Sequence, residues 1–313
     1  MKRRSFSKNH SYVPGIHLVG LITLFFAVFL SISCSEPLIE RPEPTAPEEI
    51  EDTNLVEGVD YFLPNIDLSN WKVTLPIDDP KEVSPPDILD YANHPTLKEF
   101  MYNDSTDGSL VFYTYPGSTT PNSSYSRTEL REQMVPGSNS VNWKFSDVGI
   151  MEGTLSVPEV SKDGGGKDHR IIIMQIHGRL SNAQRDLIGE DDNNAPPVLK
   201  IYWDKGKVRV KTKILKDKNV SDTEILRTSS WTDDEGYNFP TRVENDKFTL
   251  RVEASYGKLS VTLNGVETKT YESEDLRRWD VFENYFKAGN YLQTTDEGAF
   301  AKVKYYALEV SHP

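Results

Sequence analysis

Three short segments carry side chains whose types and spacing suit chemistry beside a carboxylate. In Ser126-Arg127-Thr128-Glu129-Leu130-Arg131-Glu132 the residues alternate as in a strand, so Arg127, Glu129 and Arg131 share one face. Two planar guanidiniums on one strip can grip carboxylates through paired N–H donors. The same pattern also makes a plain salt-bridged sheet face. In 170–177 four apolar residues run into Gln175-Ile176-His177, which puts Gln175 and His177 on one face and turns Ile176 to the core. Histidine titrates near neutrality and can accept a proton there, although a lone strand histidine is as readily structural. In 284–293 the alternation places Tyr285, Lys287, Gly289, Tyr291 and Gln293 together, with a bare glycine leaving room for a ligand over the sheet. An amphipathic outer strand fits that segment equally well.

The elements that must hold these residues are strands. From about residue 60 onward the hydrophobic period is two, and 149–157, 170–177, 198–203, 207–213, 248–254, 259–263 and 301–310 are predicted strands. Asp204-Lys205-Gly206 and Tyr256-Gly257-Lys258 read as hairpin turns, so an antiparallel all-β sandwich follows. Helical candidates are few, chiefly around 87–100 and 273–281. Two polar stretches, 178–197 and 216–240, interrupt the rhythm; they are either surface insertions or loops that wall one end of a groove and favour release of short products. The run Asp163-Gly164-Gly165-Gly166-Lys167 lacks phosphate-loop spacing and reads as a hairpin loop. Glu190 to Asn194 lacks a calcium-loop pattern, and no metal site is expected.

The 313 residues carry a formal net charge of −13 and 37% hydrophobic residues. An acidic chain is repelled by nucleic acid and anionic membranes, so any polyanionic ligand must meet a local basic groove. At the N-terminus Lys2, Arg3, Arg4 and Lys8 precede the apolar run 18–30 and then Cys34, the only cysteine. This reads as residues 1–34 forming an export signal that ends at a lipid-acceptor cysteine. Residues 35–58, rich in Pro and Glu, read as a solvated tether. Residues 59–313 are then one folded domain, expected to be a monomer that meets the bacterial cell envelope, at the outer membrane, only through the anchor at Cys34; the alternative is a signal peptide cleaved elsewhere, with an incidental cysteine and a secreted domain.

RTELR (127–131), QIH (175–177) and YFKAGNYLQ (285–293), in that order, resemble the three signature regions of the polysaccharide lyase family 7 alginate lyases. NWKVTLP (70–76) and GSTTPNSSY (117–125) are similar to further stretches of that family. The resemblance implies a β-jelly roll of two antiparallel sheets with alginate, an anionic polysaccharide, in a concave groove. It implies β-elimination without a cofactor. Arg127, Gln175 and His177 match positions that contact the uronate carboxylate, and Tyr291 matches the tyrosine that protonates the leaving oxygen. The resemblance further implies that Tyr291 abstracts the C5 proton of mannuronate, which requires its pKa to be lowered by Arg127 and Lys287, and that His177 abstracts that of guluronate. Glu129, Arg131, Tyr285, Lys287 and Gln293 fall in the implied substrate-binding set, Glu129 more as a partner of an arginine. Ile176 in QIH leans toward guluronate-containing blocks. A glycan-binding lipoprotein without activity and a lyase for another polyuronate, such as glucuronan, are the alternatives. A glycoside hydrolase would need a close pair of carboxylates that the polar faces do not offer.

Overall fold

A computed structural model describes residues 61–313. The expected leader, Cys34 and the tether lie outside the described residues.

Two antiparallel sheets stack face to face. The first contains β1 (Trp71–Thr74), β2 (Glu82–Val83), β5 (Arg127–Glu132), β7 (Ile171–Arg179), β8 (Asn194–Asp204), β9 (Lys207–Leu215), β10 (Trp231–Asp233), β11 (Tyr237–Arg242) and β15 (Glu283–Leu292). Its order is β10-β9-β8-β7-β15-β5-β1-β2, with β11 also paired to β9. The second contains β3 (Met101–Asn103), β4 (Leu110–Thr114), β6 (Gly149–Val160), β12 (Phe248–Ser255), β13 (Lys258–Leu263), β14 (Glu267–Glu272) and β16 (Ala301–Ser311), in the order β14-β13-β12-β6-β16-β4-β3.

Alternation decides which face is buried. In β9, Val208, Val210 and Thr212 face the core while Lys207, Arg209, Lys211 and Lys213 point the other way. In the core Phe112 meets Tyr305 edge-on at 5.5 Å on the inner face of the second sheet, and Trp143 packs on Phe286 of the first sheet at 4.8 Å. Burying each such aromatic contributes roughly 1.5–3 kcal/mol. The opposite face of the first sheet carries the polar residues of β5, β7 and β15.

All seven predicted strands are present, extended by a few residues at their ends. The stretch 87–100 holds only two 3-10 turns, Asp87–Asp90 and Leu97–Glu99. Pro95 disfavours a helical His94, whose ring instead accepts from the amides of Thr96 and Leu97. The stretch 273–281 holds helix α2 (Glu274–Arg278) and a 3-10 turn. Inside the polar stretch 178–197 lies helix α1 (Asn182–Ile188), started by a Ser181–Gln184 capping box and ended by Gly189 in the left-handed region. The stretch 216–240 contributes β10 and β11, which cover the edge of β9.

Candidate active site

Strand β15 lies between β5 and β7, and this order brings the three segments together. On one side Lys287 pairs with Arg131, Gly289 with Glu129 and Tyr291 with Arg127; on the other Tyr285 pairs with His177 and Lys287 with Gln175. Neighbouring strands lie about 4.8 Å apart, so these residues sit side by side on one face. Arg127, Arg131, His177, Tyr285 and Lys287 line a cleft of about 460 Å³.

Glu129 is the hub beneath the cleft. It is 1% exposed, and its carboxylate accepts from Arg127 Nη1 at 3.1 Å and from Gln175 Nε2 at 2.5 Å, and pairs with Lys287 Nζ. A carboxylate buried beneath the cleft and already accepting from three side chains is spent on holding them in place. Glu129 therefore orients Arg127, Gln175 and Lys287, the place of a partner to an arginine. Burial and the Arg127 charge pull Lys287 down to about 8 even though Glu129 opposes them. Arg131 differs: it donates to Glu132 O, Asn139 O and Asn142 Oδ1, all uncharged acceptors, so its positive charge stays available to the cleft. Arg127 Nε is buried and has no hydrogen-bond acceptor among the described residues.

His177 is held on two sides. Its ring stacks on Tyr285 at 5.2 Å, and Tyr285 in turn lies 4.0 Å beneath the Arg131 guanidinium. Its Nδ1 sits 2.9 Å from the Gly178 carbonyl, which can only accept, so Nδ1 carries the proton and Nε2 keeps a free lone pair. Burial first, then the Lys287 charge, push His177 down to about 3. At neutral pH it is an uncharged imidazole whose Nε2 carries no proton.

Tyr291 lies against the Arg127 guanidinium, 3.8 Å from the ring centroid. Its pKa is raised: burial outweighs the opposing Arg127 charge. The expectation that Arg127 and Lys287 lower it is thereby corrected. Arg127 covers the ring face, and Lys287 is taken up by Glu129. A phenol that keeps its proton is suited to be an acid.

Tyr291 is positioned by a β-bulge. On the β7 side the register slips between Ala288 and Tyr291, while the β5 side runs on without a break. Gly289 has φ +135°, and a Cβ there would lie 2.7 Å from Thr128 O and 3.0 Å from Glu129 Cα. The glycine serves strand approach within the bulge, correcting the reading that it clears space for substrate. Asn290 points into the core, where Nδ2 donates to Phe112 O and Ala301 O of the second sheet at 3.0 and 2.8 Å. Gln293 lies past the end of β15 and donates to Tyr291 O at 3.2 Å; neither residue lines the cleft itself, and Tyr291 borders it through its contact with Arg127.

Sequence reasoning missed several groups at the cleft. Lys72, from NWKVTLP, pairs with Glu82 at 2.6 Å; Arg179 pairs with Glu283; and Asn122 donates to Asp192 at 2.8 Å, joining 117–125 to the segment after α1 across the cleft mouth. The alternation of Lys72 in a buried strand was a usable signal. The Asn122–Asp192 contact has none in sequence, because it joins two loops 70 residues apart.

A sheet face bearing cations beside a neutral histidine and a protonated tyrosine is the kind of site that suits an enzyme acting on an acidic substrate. The alginate lyase family model matches residues 66–312. An alginate lyase of Klebsiella pneumoniae is 25% identical over 291 residues, covering 79% of this chain and 89% of that one. Among solved structures, alginate lyase A1-II′, described as a member of polysaccharide lyase family 7, superposes with a TM-score of 0.64 at 31% identity, covering 79% of this chain and 96% of that one. A variant of the same enzyme, solved with the substrate GGMG, gives 0.60 at 29%, covering 79% of this chain and 94% of that one. This chain belongs to the alginate lyase family, and its fold is the β-jelly roll of that family. It is a polysaccharide lyase.

Proposed function

We propose that this chain cleaves the 4-O-glycosidic bond of alginate by β-elimination, and that it favours guluronate-containing blocks. Removing the C5 proton of a uronate builds negative charge beside a carboxylate that is already anionic, so neutralising that carboxylate is the main electrostatic task. Arg127 and Gln175, both oriented by Glu129, are suited to it, with Arg131 and Lys287 meeting carboxylates of neighbouring sugars. His177 Nε2 takes the C5 proton, the C–H electron pair forms the C4–C5 double bond, and the C4–O bond breaks. Tyr291 gives its proton to the departing oxygen. Atoms balance without water, and the new chain end is an unsaturated uronate.

The observation that carries this reading is the Nδ1 contact of His177 with Gly178 O, which leaves the base nitrogen bare. The lean to guluronate is supported by Tyr291 holding its proton: an acid there and a separate base at His177 suit the epimer whose C5 hydrogen lies away from the tyrosine. Mass spectrometry of the products tests the reaction type. Elimination gives oligomers lighter by one water than hydrolysis products, and finding only hydrolysis products contradicts the proposal.

The sequence further supports export, with lipid attachment at Cys34 and the 35–58 tether holding the domain off the envelope. Fatty-acid labelling of the full chain tests it: the wild type takes up label, Cys34→Ala does not, and label retained in the variant contradicts the anchor.

A further inference from the structure

Across the strands of the first sheet, one row of cross-strand partners crosses the groove face: Lys72 on β1, Arg131 on β5, Lys287 on β15, Gln175 on β7, Lys200 on β8 and Lys211 on β9. Five of the six are cations. Five inter-strand steps span about 24 Å, several sugar rings in length, so the row continues well beyond the reacting sugar.

At its far end Lys200, Lys211 and Lys213 converge on one carboxylate. Asp233 Oδ2 lies 2.6 Å from Lys200 Nζ and 4.0 Å from Lys211 Nζ, and Oδ1 lies 2.8 Å from Lys213 Nζ. Lys200 and Lys213 hold Asp233 below the usual carboxylate range, so it is ionised, yet it balances only one of three ammonium charges. Arg209, next on the same face of β9, adds a further cation whose partners, Asn238 Oδ1 and Glu235 O, are neutral. The lysine side chains are 14–24% exposed, so they are partly buried on this face of the sheet and not fully solvated. In a chain of net charge −13 this is a concentrated positive patch. It does not touch His177 or Tyr291.

We infer that Lys200, Lys211 and Lys213 form a distal subsite for a carboxylate of the same polyuronate chain, with Asp233 holding the lysines in place and competing with that carboxylate. The inference rests on the polyuronate lyase reading above. It assigns the β8–β9 end of the groove to binding long chains, with no part in bond cleavage.

The test measures binding calorimetrically in Tyr291→Phe protein, where turnover is blocked, with long alginate and an alginate trisaccharide as probes. Adding Lys211→Gln with Lys213→Gln should weaken long-chain binding about fivefold and make its salt dependence shallower, with a much smaller effect on the trisaccharide. Equal losses for both probes, or no loss for the long chain, overturn the inference. Should the double lysine variant fail to fold, Asp233→Asn decides: it keeps every lysine and removes the competing carboxylate, so long-chain binding should tighten. Unchanged or weaker binding overturns the inference. If the Tyr291→Phe parent binds neither probe, the failure lies with the lyase reading itself.

Discussion

The Tyr305 hydroxyl donates to the Ile173 carbonyl at 2.7 Å, reaching from the second sheet into the gap that the β15 bulge opens beside β7. The same oxygen accepts from the Gly289 amide at 3.3 Å. One phenol thus satisfies the two backbone groups that the bulge separates, and the bulge sets the position of Tyr291. Tyr305→Phe keeps the ring and removes the bridge, leaving a buried N–H and C=O without partners. Urea unfolding should show a loss of about 1–3 kcal/mol, and kcat should fall more than KM rises, because Tyr291 loses its anchor while the carboxylate-binding cations do not move.

Lys287 sets the alkaline limit of activity. Its ammonium, pulled down to about 8, loses its charge as pH rises through that value, and the cleft then loses a cation that the proposed function sets against a uronate carboxylate. The pH profile of kcat/KM should fall near that point. Lys287→Arg, whose guanidinium stays charged, should move the fall to higher pH; an unmoved limb contradicts the assignment.

Glu129→Gln removes the carboxylate shared by Arg127, Gln175 and Lys287. Breaking a buried ion pair on one side strands the remaining charges and costs about 3–5 kcal/mol, measurable by chemical denaturation. Because Glu129 raises Lys287, its loss should also shift the alkaline limb of kcat/KM to lower pH in whatever protein folds.

His177 links pH to stability. Its folded pKa, about 3, is far below the ordinary value near 6.5. Between the two the unfolded chain binds a proton that the folded protein refuses, so its contribution is complete above about 6.5 and is lost as pH falls toward 3. The melting temperature of His177→Asn should depend less on pH across that window than that of the wild type.

The sequence carried the strands and the faces of the site, because a period of two states which side of a sheet a residue occupies. Ile176 is fully buried between Gln175 and His177, as the apolar run into QIH implies. Which residues become neighbours is set by strand order and register, which alternation leaves open. Glu129 as a hub, and the row from Lys72 to Lys211, appear only once β15 is seen between β5 and β7. The bulge at Gly289 and Asn290 is hidden for a related reason: one extra residue against β7 leaves the pattern against β5 intact. The signals for α1 were present in Ser181, Gln184 and Gly189, but its polar composition masked them.

The division of labour between His177 as base and Tyr291 as acid is tested most directly by the ultraviolet absorbance of the unsaturated uronate. Wild type, Tyr291→Phe and His177→Asn are followed in parallel on polyguluronate and polymannuronate. Absorbance should rise in the wild type, faster on polyguluronate. It should be abolished by Tyr291→Phe on both polymers and lowered about 10²–10⁴-fold by His177→Asn on polyguluronate. A wild-type rate on polyguluronate that survives both substitutions, or no absorbance from the wild type on either polymer, contradicts the account.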